Sequence, residues 1–303
     1  MSEMDVLAAR FEEHRAHLRA VGYRMLGSFS DADDAVQEAW LRVSRADADR
    51  VDNLGGWLTT VVSRVCLNML RSRASRREQP LPEHPLPVHP VSVHTPDPIV
   101  SRVTGGEPEN EALVADSVGL AMLVVLDTLT PAERLAFVLH DTFGVSFDEI
   151  TEILGGTSAA ARQLASRARK RVRSAPTPDA DLTRQRRVVD AFFAAARDGD
   201  FEALLAVLDP DVVLRSDGGP GRPLATEIIR GATALARQAV TWGRLSPFVH
   251  PALINGVAGV VVAPKRQPVS IMAFVVQSGR IVAVDVLADP ERLRALDLGD
   301  WAA

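Results

Sequence analysis

Apolar residues recur at three- and four-residue intervals through residues 1–77, and again through residues 111–174. The set Leu58, Val61, Val62, Val65 and Met69 is an example of this spacing. Such spacing places apolar side chains on one face of an α-helix. Both blocks are therefore predicted to be all-α.

The pattern changes in residues 183–303. Residues 183–208 predict two helices, separated by the turn Asp198-Gly199-Asp200. The runs typical of β-strands that follow are DVVLRS, ALIN, VAGVVVAP, VSIMAFVVQ and RIVAVDVLA. Asn255-Gly256 and Ser278-Gly279 stand between such runs and favour hairpins. This block is therefore predicted to be α+β, with a curved antiparallel sheet.

Two joints separate these blocks. Residues 78–110 contain the segment QPLPEHPLPVHPVSVHTPDP, whose dense prolines block helices and sheet ladders. These residues are predicted to form an extended connector between the two helical blocks. A second joint, SAPTPDAD, follows Arg173.

The middle block contains a strong signal for the start of a helix. Thr130 is an N-cap residue, Pro131 suits the first helical position, and Glu133 completes a capping box. The helix is predicted to run from here to about His140.

A second pair of helices follows in the same block. Ser146 and Glu149 predict another capping box at the start of a short helix. Gly155-Gly156-Thr157 predicts a tight turn, and a final helix begins near Ser158. Two helices joined by a short glycine turn are typical of a helix-turn-helix.

The final helix separates apolar from basic residues. Its predicted buried stripe consists of Ala161, Leu164, Ala165, Ala168 and Val172. Its predicted outer face carries Ser158, Arg162, Gln163, Ser166, Arg167, Arg169, Lys170 and Arg173. Arginine and glutamine can read base edges in the major groove, while other cations hold phosphates. A solvated basic helix is the alternative, but the capped helices and glycine turn favour duplex DNA.

Overall composition limits how nucleic acid could be bound. The chain has 303 residues and a formal net charge of −5, so a nucleic-acid site must be local. The single cysteine, Cys66, excludes an intrachain disulfide. No signal peptide or membrane-spanning run is seen in the sequence, so a cytoplasmic protein without a membrane partner is expected.

Two helices of the first block present opposite charges. The segment Asp31–Val43 turns Ala35, Val36, Ala39, Trp40 and Val43 toward a core and leaves an acidic face outside. The segment from Asn53 to Arg77 presents Arg64, Asn68 and Arg71 and ends in a basic cluster. One acidic and one basic face indicate one protein partner and one nucleic-acid partner.

These segments, together with TPAERLAFVLHDTFGVSFDEITEILGGTSAAARQLASRARKRV, resemble an extracytoplasmic-function (ECF) sigma factor of bacterial RNA polymerase. The resemblance implies a region 2 domain at 1–77, a linker at 78–110 and a region 4 helix-turn-helix at 111–174. It implies contacts with the beta-prime clamp helices and beta flap of core polymerase, and with promoter DNA.

The resemblance also implies roles for individual residues. Those that would dock on core polymerase are Asp34, Gln37, Glu38, Trp40 and Leu41. Those that would lie near the melted minus-ten element are Arg64, Asn68, Arg71 and Arg73. The helix from Ser158 to Arg173 would read the minus-thirty-five element. Core packing is the alternative role for Trp40 and Trp57.

The last block, 183–303, resembles a SnoaL-like domain, a cone-shaped α+β barrel, as fused to one subgroup of these sigma factors. The predicted fold class is therefore multidomain, with two all-α sigma domains and a C-terminal SnoaL-like barrel. Residues at the positions of the subgroup's two regulatory motifs are Asp217, Gly218, Gly219, Gly221, Arg222, Asp289, Pro290 and Leu293. Both motifs depart from the subgroup's pattern, because a proline interrupts the glycines, arginine replaces lysine in the first motif, and alanine replaces asparagine in the second. The glycine turn exposes backbone N–H groups and could grip the acidic linker, or it is an ordinary surface turn.

Three hypotheses for function follow. The leading one is a sigma factor that its SnoaL-like domain regulates in cis, through contact with the sigma domains and linker. The second is a one-component DNA-binding regulator whose cone binds a small molecule. The third is an enzyme with Asp217, His250 or Asp285 as a base. Because no catalytic set or metal-ligand spacing accompanies these residues, no catalytic role, metal or cofactor is expected.

Overall fold

The computed structural model describes residues 3–44, 53–78, 94–103, 120–220, 222, 225–296 and 298. Contacts divide the chain into two compact units. The N-terminal unit comprises residues 1–86 and 125–174, and the C-terminal unit comprises residues 87–124 and 175–303. Within the described ranges no helix combines the length and apolar character needed to cross a lipid bilayer.

The N-terminal unit is helical. Its helices are α1 (Glu3–Leu26), α2 (Phe29–Val43), α3 (Leu54–Glu78), residues 125–127 of α4 (Leu120–Asp127), α5 (Pro131–Phe137), α6 (Phe147–Leu154) and α7 (Ser158–Arg173). The apolar stripes of the first three helices form one core, because Leu18, Val36 and Leu58 are almost fully buried. The prediction of helical blocks is confirmed.

The predicted helix-turn-helix is confirmed. Both capping boxes form, at Thr130 with Glu133 and at Ser146 with Glu149. Gly155 and Gly156 have φ angles of +77° and +92°, which glycine adopts without a steric penalty. The Thr157 side chain then accepts the backbone N–H of Ala160 and caps α7.

The helix that begins at Pro131 was predicted to end at about His140, and this prediction is wrong in one respect. The α-helix ends at Phe137 and continues as a wider π-helical turn over Val138–Thr142. That turn lets the His140 ring stack on Phe147, with the ring centroids 3.9 Å apart. The His140 Nδ1 atom also lies 2.9 Å from the carbonyl oxygen of Val145.

The two helical blocks pack against each other within the N-terminal unit. Arg134 is 4% exposed and donates to the carbonyl oxygen of Met25 at 3.0 Å. The Phe143 ring lies against His17, at 5.2 Å between centroids, and the Arg24 guanidinium lies 4.8 Å from its centre. These contacts bring residues separated by about a hundred positions into one core.

The C-terminal unit has helices packed on a mixed sheet. Its elements are β1 (Val100–Arg102), α8 (Leu182–Asp198), α9 (Phe201–Val207), β2 (Leu208–Asp217), β3 (Glu227–Arg230), α10 (Ala232–Trp242), β4 (Val249–Ile254), β5 (Val257–Val262), β6 (Ser270–Gln277), β7 (Arg280–Leu287) and α11 (Pro290–Ala295). The strand order is β1-β4-β5-β6-β7-β2-β3. Both predicted hairpins form, at Asn255-Gly256 and Ser278-Gly279, with positive φ throughout.

The prediction of an antiparallel sheet is wrong for one pair of strands. β2 and β7 run parallel, and the other neighbouring pairs are antiparallel. Parallel neighbours need a long connection. Here the chain passes through β3 to β6 before it returns beside β2.

The prediction that residues 78–110 are only an extended connector is also wrong in part. Residues Val100–Arg102 form β1 and pair with β4 in antiparallel register, with Val100 opposite Ile254. The last proline before this strand is Pro98, so residues 99–103 can join a ladder at the edge of the sheet. Residues 79–93 and 104–110 lie outside the described residues.

Alternation along the strands defines the two faces of this sheet. Leu214, Val284 and Val286 belong to the core that α8, α9 and α10 cover. Their neighbours in sequence therefore lie on the opposite face. The predicted fold class, two all-α blocks and a C-terminal α+β block, is confirmed.

Candidate functional site

The predicted DNA-reading face of α7 is open. Arg162, Gln163, Ser166, Arg167 and Lys170 are exposed. On the other side of the helix, Ala161, Ala165 and Ala168 are at most 2% exposed. The sequence pattern thus separates a packed face from a basic face, as a recognition helix requires.

Several side chains of α7, including two of these exposed ones, have partners within the N-terminal unit, and the Arg167 Nε atom lies 3.5 Å from Glu133. The Arg169 Nε atom lies 2.5 Å from Asp141, and the Ser158 hydroxyl bonds to Asp148. Arg162 lies over the Phe147 ring at 5.5 Å. These contacts hold the basic face on α6 and on the preceding turn, so Ser158 and Arg169 support the helix as well as facing solvent.

The predicted basic stripe on α3 is only partly available. Asn68 and Arg71 are exposed. Arg64 is exposed too, but it donates to the carbonyl oxygen of Glu152 at 2.7 Å. Arg73 is half-buried and forms an ion pair with Asp31 at 2.5 Å. The structure therefore does not bring Arg73 into the open stripe formed by the other three residues.

The outer face of α2 combines acidic and apolar groups. Asp34, Gln37 and Leu41 are exposed, and Leu41 retains 43% of its accessible surface. Glu38 accepts a hydrogen bond from Arg42 at 2.9 Å. Trp40 is half-buried and packs on Phe11, with ring centroids 5.0 Å apart. The Trp40 ring therefore supports the core, and the free face of α2 lies beside it.

The end of β2 holds part of the linker. Asp217 is 5% exposed, and its Oδ2 atom accepts the backbone N–H of Thr95 at 3.0 Å. Its Oδ1 atom accepts the N–H of Gly219 at 3.1 Å. His94 Nδ1 lies 3.7 Å from the same carboxylate. Asp217 thus binds the linker and its own turn at once.

Arg292 completes this contact. Its guanidinium donates to Asp217 at 2.9 Å, to Asp97 at 2.9 Å and to the carbonyl oxygen of Thr95 at 2.5 Å. Asp289 caps α11 by accepting the N–H groups of Glu291 and Arg292. One arginine therefore joins two buried carboxylates and one backbone carbonyl.

A third contact lies at the hairpin between β4 and β5. The Asn255 side chain accepts the N–H of Ile99 at 3.0 Å, and the Asn255 N–H donates to the Ile99 carbonyl at 2.8 Å. We call Asp217, Asn255 and Arg292, together with residues 94–102 that they hold, the linker clasp. Sequence reasoning missed Thr95, Asp97, Asn255 and Arg292 as functional candidates. The charges of Asp97 and Arg292 could have identified these two residues in the sequence, since Asp97 lies in an acidic linker and Arg292 lies in a motif.

The motif glycines fit this site. Gly219 has a φ of +63°, and an added Cβ would overlap the Asp289 carboxylate. A Cβ on Gly218 would overlap the carbonyl oxygen of Arg222. Pro290 starts α11, and Leu293 in the same helix is 5% exposed. The predicted residue Gly221 lies outside the described residues.

Comparison with known proteins identifies the family of the helical blocks. The family described as Sigma-70 region 2 matches residues 10–76, and that described as Sigma-70, region 4 matches residues 120–172. The ECF RNA polymerase sigma factor SigJ of Mycobacterium tuberculosis is 36% identical, over 97% of this chain and 96% of that protein.

The chain belongs to the ECF family of RNA polymerase sigma factors. The probable ECF sigma factor SigI of the same species is 33% identical, over 98% of each chain. The crystal structure of SigJ matches with a TM-score of 0.71 and 33% identity, covering 95% of this chain and 98% of that chain. The part of the leading hypothesis that makes this chain an ECF sigma factor is confirmed. Sigma factors are transcription initiation factors rather than enzymes.

The C-terminal unit of this ECF sigma factor contains a partly open, largely apolar cavity of about 240 Å³. Within the described part of the chain, its walls include none of Asp217, His250 and Asp285, the candidate bases. Asp285 is 2% exposed and lies on the opposite face of β7, 3.1 Å from Arg215. Burial raises the pKa of Asp285, against the opposing effect of the Arg215 guanidinium. Asp285 is therefore part of a buried ion pair outside the cavity.

Across the described residues, no cluster of three or more His, Cys, Asp or Glu side chains is placed to hold a metal ion. Cys66 is buried in α3, and burial raises the pKa of its thiol to about 12. It therefore stays a neutral thiol and packs as a small apolar group.

Proposed function

We propose that this ECF sigma factor binds core RNA polymerase through α2 and reads promoter DNA through α3 and α7. The observation that carries the proposal is the exposed basic face of α7 in a capped helix-turn-helix, in one chain with the exposed face of α2. The beta-prime clamp helices are the expected partner of Asp34, Gln37, Glu38, Trp40 and Leu41. The beta flap is a further expected contact on the core enzyme.

The chemistry of α7 fits duplex DNA. Arg162 and Gln163 are near the N-terminal end of the helix, where a recognition helix contacts bases. Each good pair between such a side chain and a base discriminates by about 1–3 kcal/mol. Ser166, Arg167 and Lys170 follow on the same exposed face and suit phosphate contacts.

The exposed part of α3 fits the minus-ten element. Arg64, Asn68 and Arg71 can contact phosphates and the edges of unpaired bases. Arg73 would first have to leave Asp31, so we assign it a supporting role until the ion pair opens.

The N-terminal unit has a closed arrangement that must open for this function. Arg64 of the minus-ten face is bonded to Glu152 on α6, next to the DNA-reading helix. The two promoter elements are roughly 25 base pairs apart, or about 85 Å at 3.4 Å per base pair. Regions 2 and 4 pack directly against each other through α3 and α6, so they cannot reach both elements together, and the closed form is inactive in this proposal.

The linker clasp is the proposed means of regulation in cis. The linker is the covalent connection between region 2 and region 4 of this sigma factor. Three side chains of the C-terminal block hold residues 94–102 of that connection. A linker that is held at residues 94–102 can adopt fewer conformations, and this opposes separation of the two DNA-reading regions.

The test is run-off transcription with purified core polymerase and a cognate promoter, taken first from the DNA upstream of its own gene. Full-length protein should give promoter-specific RNA only when core polymerase is present. Leu41→Glu on α2 should weaken binding to core polymerase. Met4→Glu changes a similarly exposed apolar residue on α1 and should leave that binding unchanged. Promoter binding without core polymerase, together with no initiation, would instead support a one-component regulator.

A further inference from the structure

The cavity of the C-terminal unit has the character of a small-molecule site. It lies between the helices and the core face of the sheet. Phe192, Phe193, Trp242 and Met272 form much of its apolar wall. Largely apolar walls with a few polar groups are typical of ligand sites.

Polar groups are present at defined places in these walls. Hydroxyl groups come from Ser216, Ser246 and Ser270, and each can donate or accept a hydrogen bond. Arg222 is exposed and lies at the edge of the cavity. A ligand with one carboxylate could therefore place its charge beside Arg222 and its rings inside.

The volume sets the size of the ligand. An apolar cavity of about 150 Å³ accommodates benzene, which has six non-hydrogen atoms. By proportion, a cavity of about 240 Å³ takes roughly ten non-hydrogen atoms. This corresponds to a compound with one or two rings, smaller than a typical drug.

The cavity and the linker clasp share backbone. Ser216 lines the cavity, and the next residue, Asp217, holds Thr95 on the opposite face of the same strand. Val286 also lines the cavity, and its carbonyl oxygen accepts the Thr95 hydroxyl at 3.4 Å. Ala288 lines it too and donates its N–H to the carbonyl of Asp217 at 2.7 Å.

We propose that this cavity binds a compact aromatic or alicyclic carboxylate and that its occupancy strengthens the linker clasp. Because Ser216, Val286 and Ala288 belong to both the cavity wall and the backbone beside the clasp, release of the linker would disturb that wall, so a ligand that fills the cavity favours the clasped state. If the released state does not bind, ligand at 100 times its Kd makes release of the linker about 100-fold rarer. The regulatory part of this proposal depends on the clasp acting as stated under Proposed function.

The binding experiment uses full-length protein with benzoate and 2-naphthoate as probes, titrated by calorimetry. We expect saturable binding of at least one probe at one site. Ala239→Leu fills the cavity and should weaken binding tenfold or more, while Ala234→Leu makes the same change on the exposed side of α10. Met272→Phe is a second filling variant, and thermal melting checks that each variant is folded.

The coupling experiment follows hydrogen exchange of residues 94–102 with and without the bound probe. Slower exchange in wild-type protein and in Ala234→Leu, but not in Ala239→Leu, supports the proposal. Failure of both probes to bind below about 1 mM overturns the site. Binding without any change in exchange overturns the coupling. Run-off transcription without probe tests the clasp separately, so the loss of one proposal is distinguishable from the loss of the other.

Discussion

Replacing Arg292 with alanine removes the cation that joins the linker to the C-terminal unit. In the folded protein its guanidinium contacts Asp97, Asp217 and the Thr95 carbonyl. The side chains of Asp97 and Asp217 retain 9% and 7% of their accessible surface, so water cannot replace the lost partner well. We expect Arg292→Ala to release residues 94–102 from the sheet.

The magnitude follows from the burial of the three charges. Removing one member of a buried charge pair costs about 3–5 kcal/mol. The Arg292 side chain is 21% exposed, and Asp217 keeps its bonds to Thr95 and Gly219, so the lower end applies. A loss of about 3 kcal/mol corresponds to roughly 100-fold more frequent release of the linker.

Hydrogen exchange measured by mass spectrometry reports this release directly. The amides of Thr95 and Ile99 are bonded within the clasp, so their exchange should become roughly 100-fold faster in the variant. The amides of β6 serve as an internal reference. Arg294→Ala, an exposed change on the same helix, is the matched control and should leave exchange unchanged. Equal protection of Thr95 and Ile99 in wild type and Arg292→Ala would refute the reasoning.

Arg162→Ala should weaken binding to the cognate minus-thirty-five sequence by about five- to 100-fold and a non-cognate duplex much less, measured by fluorescence anisotropy at fixed salt. Equal losses on both sequences would mean that Arg162 contacts only phosphates. Asp179→Asn should lower the thermal stability of the C-terminal unit at pH 7, because the N–H groups of Ser278 and Gly279 hold the pKa of that carboxyl below its usual range. A depressed folded-state pKa stabilises the folded protein above the usual carboxyl pKa, and this effect is lost as the pH falls through the folded-state pKa. The difference in melting temperature between the two proteins should therefore be smaller at pH 3 than at pH 7. Gly219→Ala should destabilise the turn, through both the positive φ and the overlap with Asp289, by about 1–3 kcal/mol in urea unfolding. An unchanged urea midpoint would show that the loop adapts freely.

Much of the fold was predictable from local sequence. The capping boxes at Thr130 and Ser146 and the hairpin turn at Asn255 are set by neighbouring residues, and each forms as expected. The basic and apolar faces of α7 follow from helical spacing in the same way.

Other features were not predictable because they join residues that are far apart in the chain. β1 exists because residues 100–102 meet the edge of β4 about 150 positions later. Asn255 was expected as a turn residue, but its side chain also binds Ile99. Arg292 acquires its role only when α11 brings it beside Asp97 and Asp217. Asp285 lies outside the cavity because strand alternation directs it to the other face.

The most direct test of the central claim compares run-off transcription by three forms of the protein with core polymerase on the cognate promoter. These are the full chain, Arg292→Ala, and a chain ending at Ala175. If the C-terminal block restrains the sigma domains through the linker, both altered forms will yield more promoter-specific RNA than the full chain. If hydrogen exchange shows the linker released in Arg292→Ala while RNA yield stays at the wild-type level, the clasp does not regulate transcription.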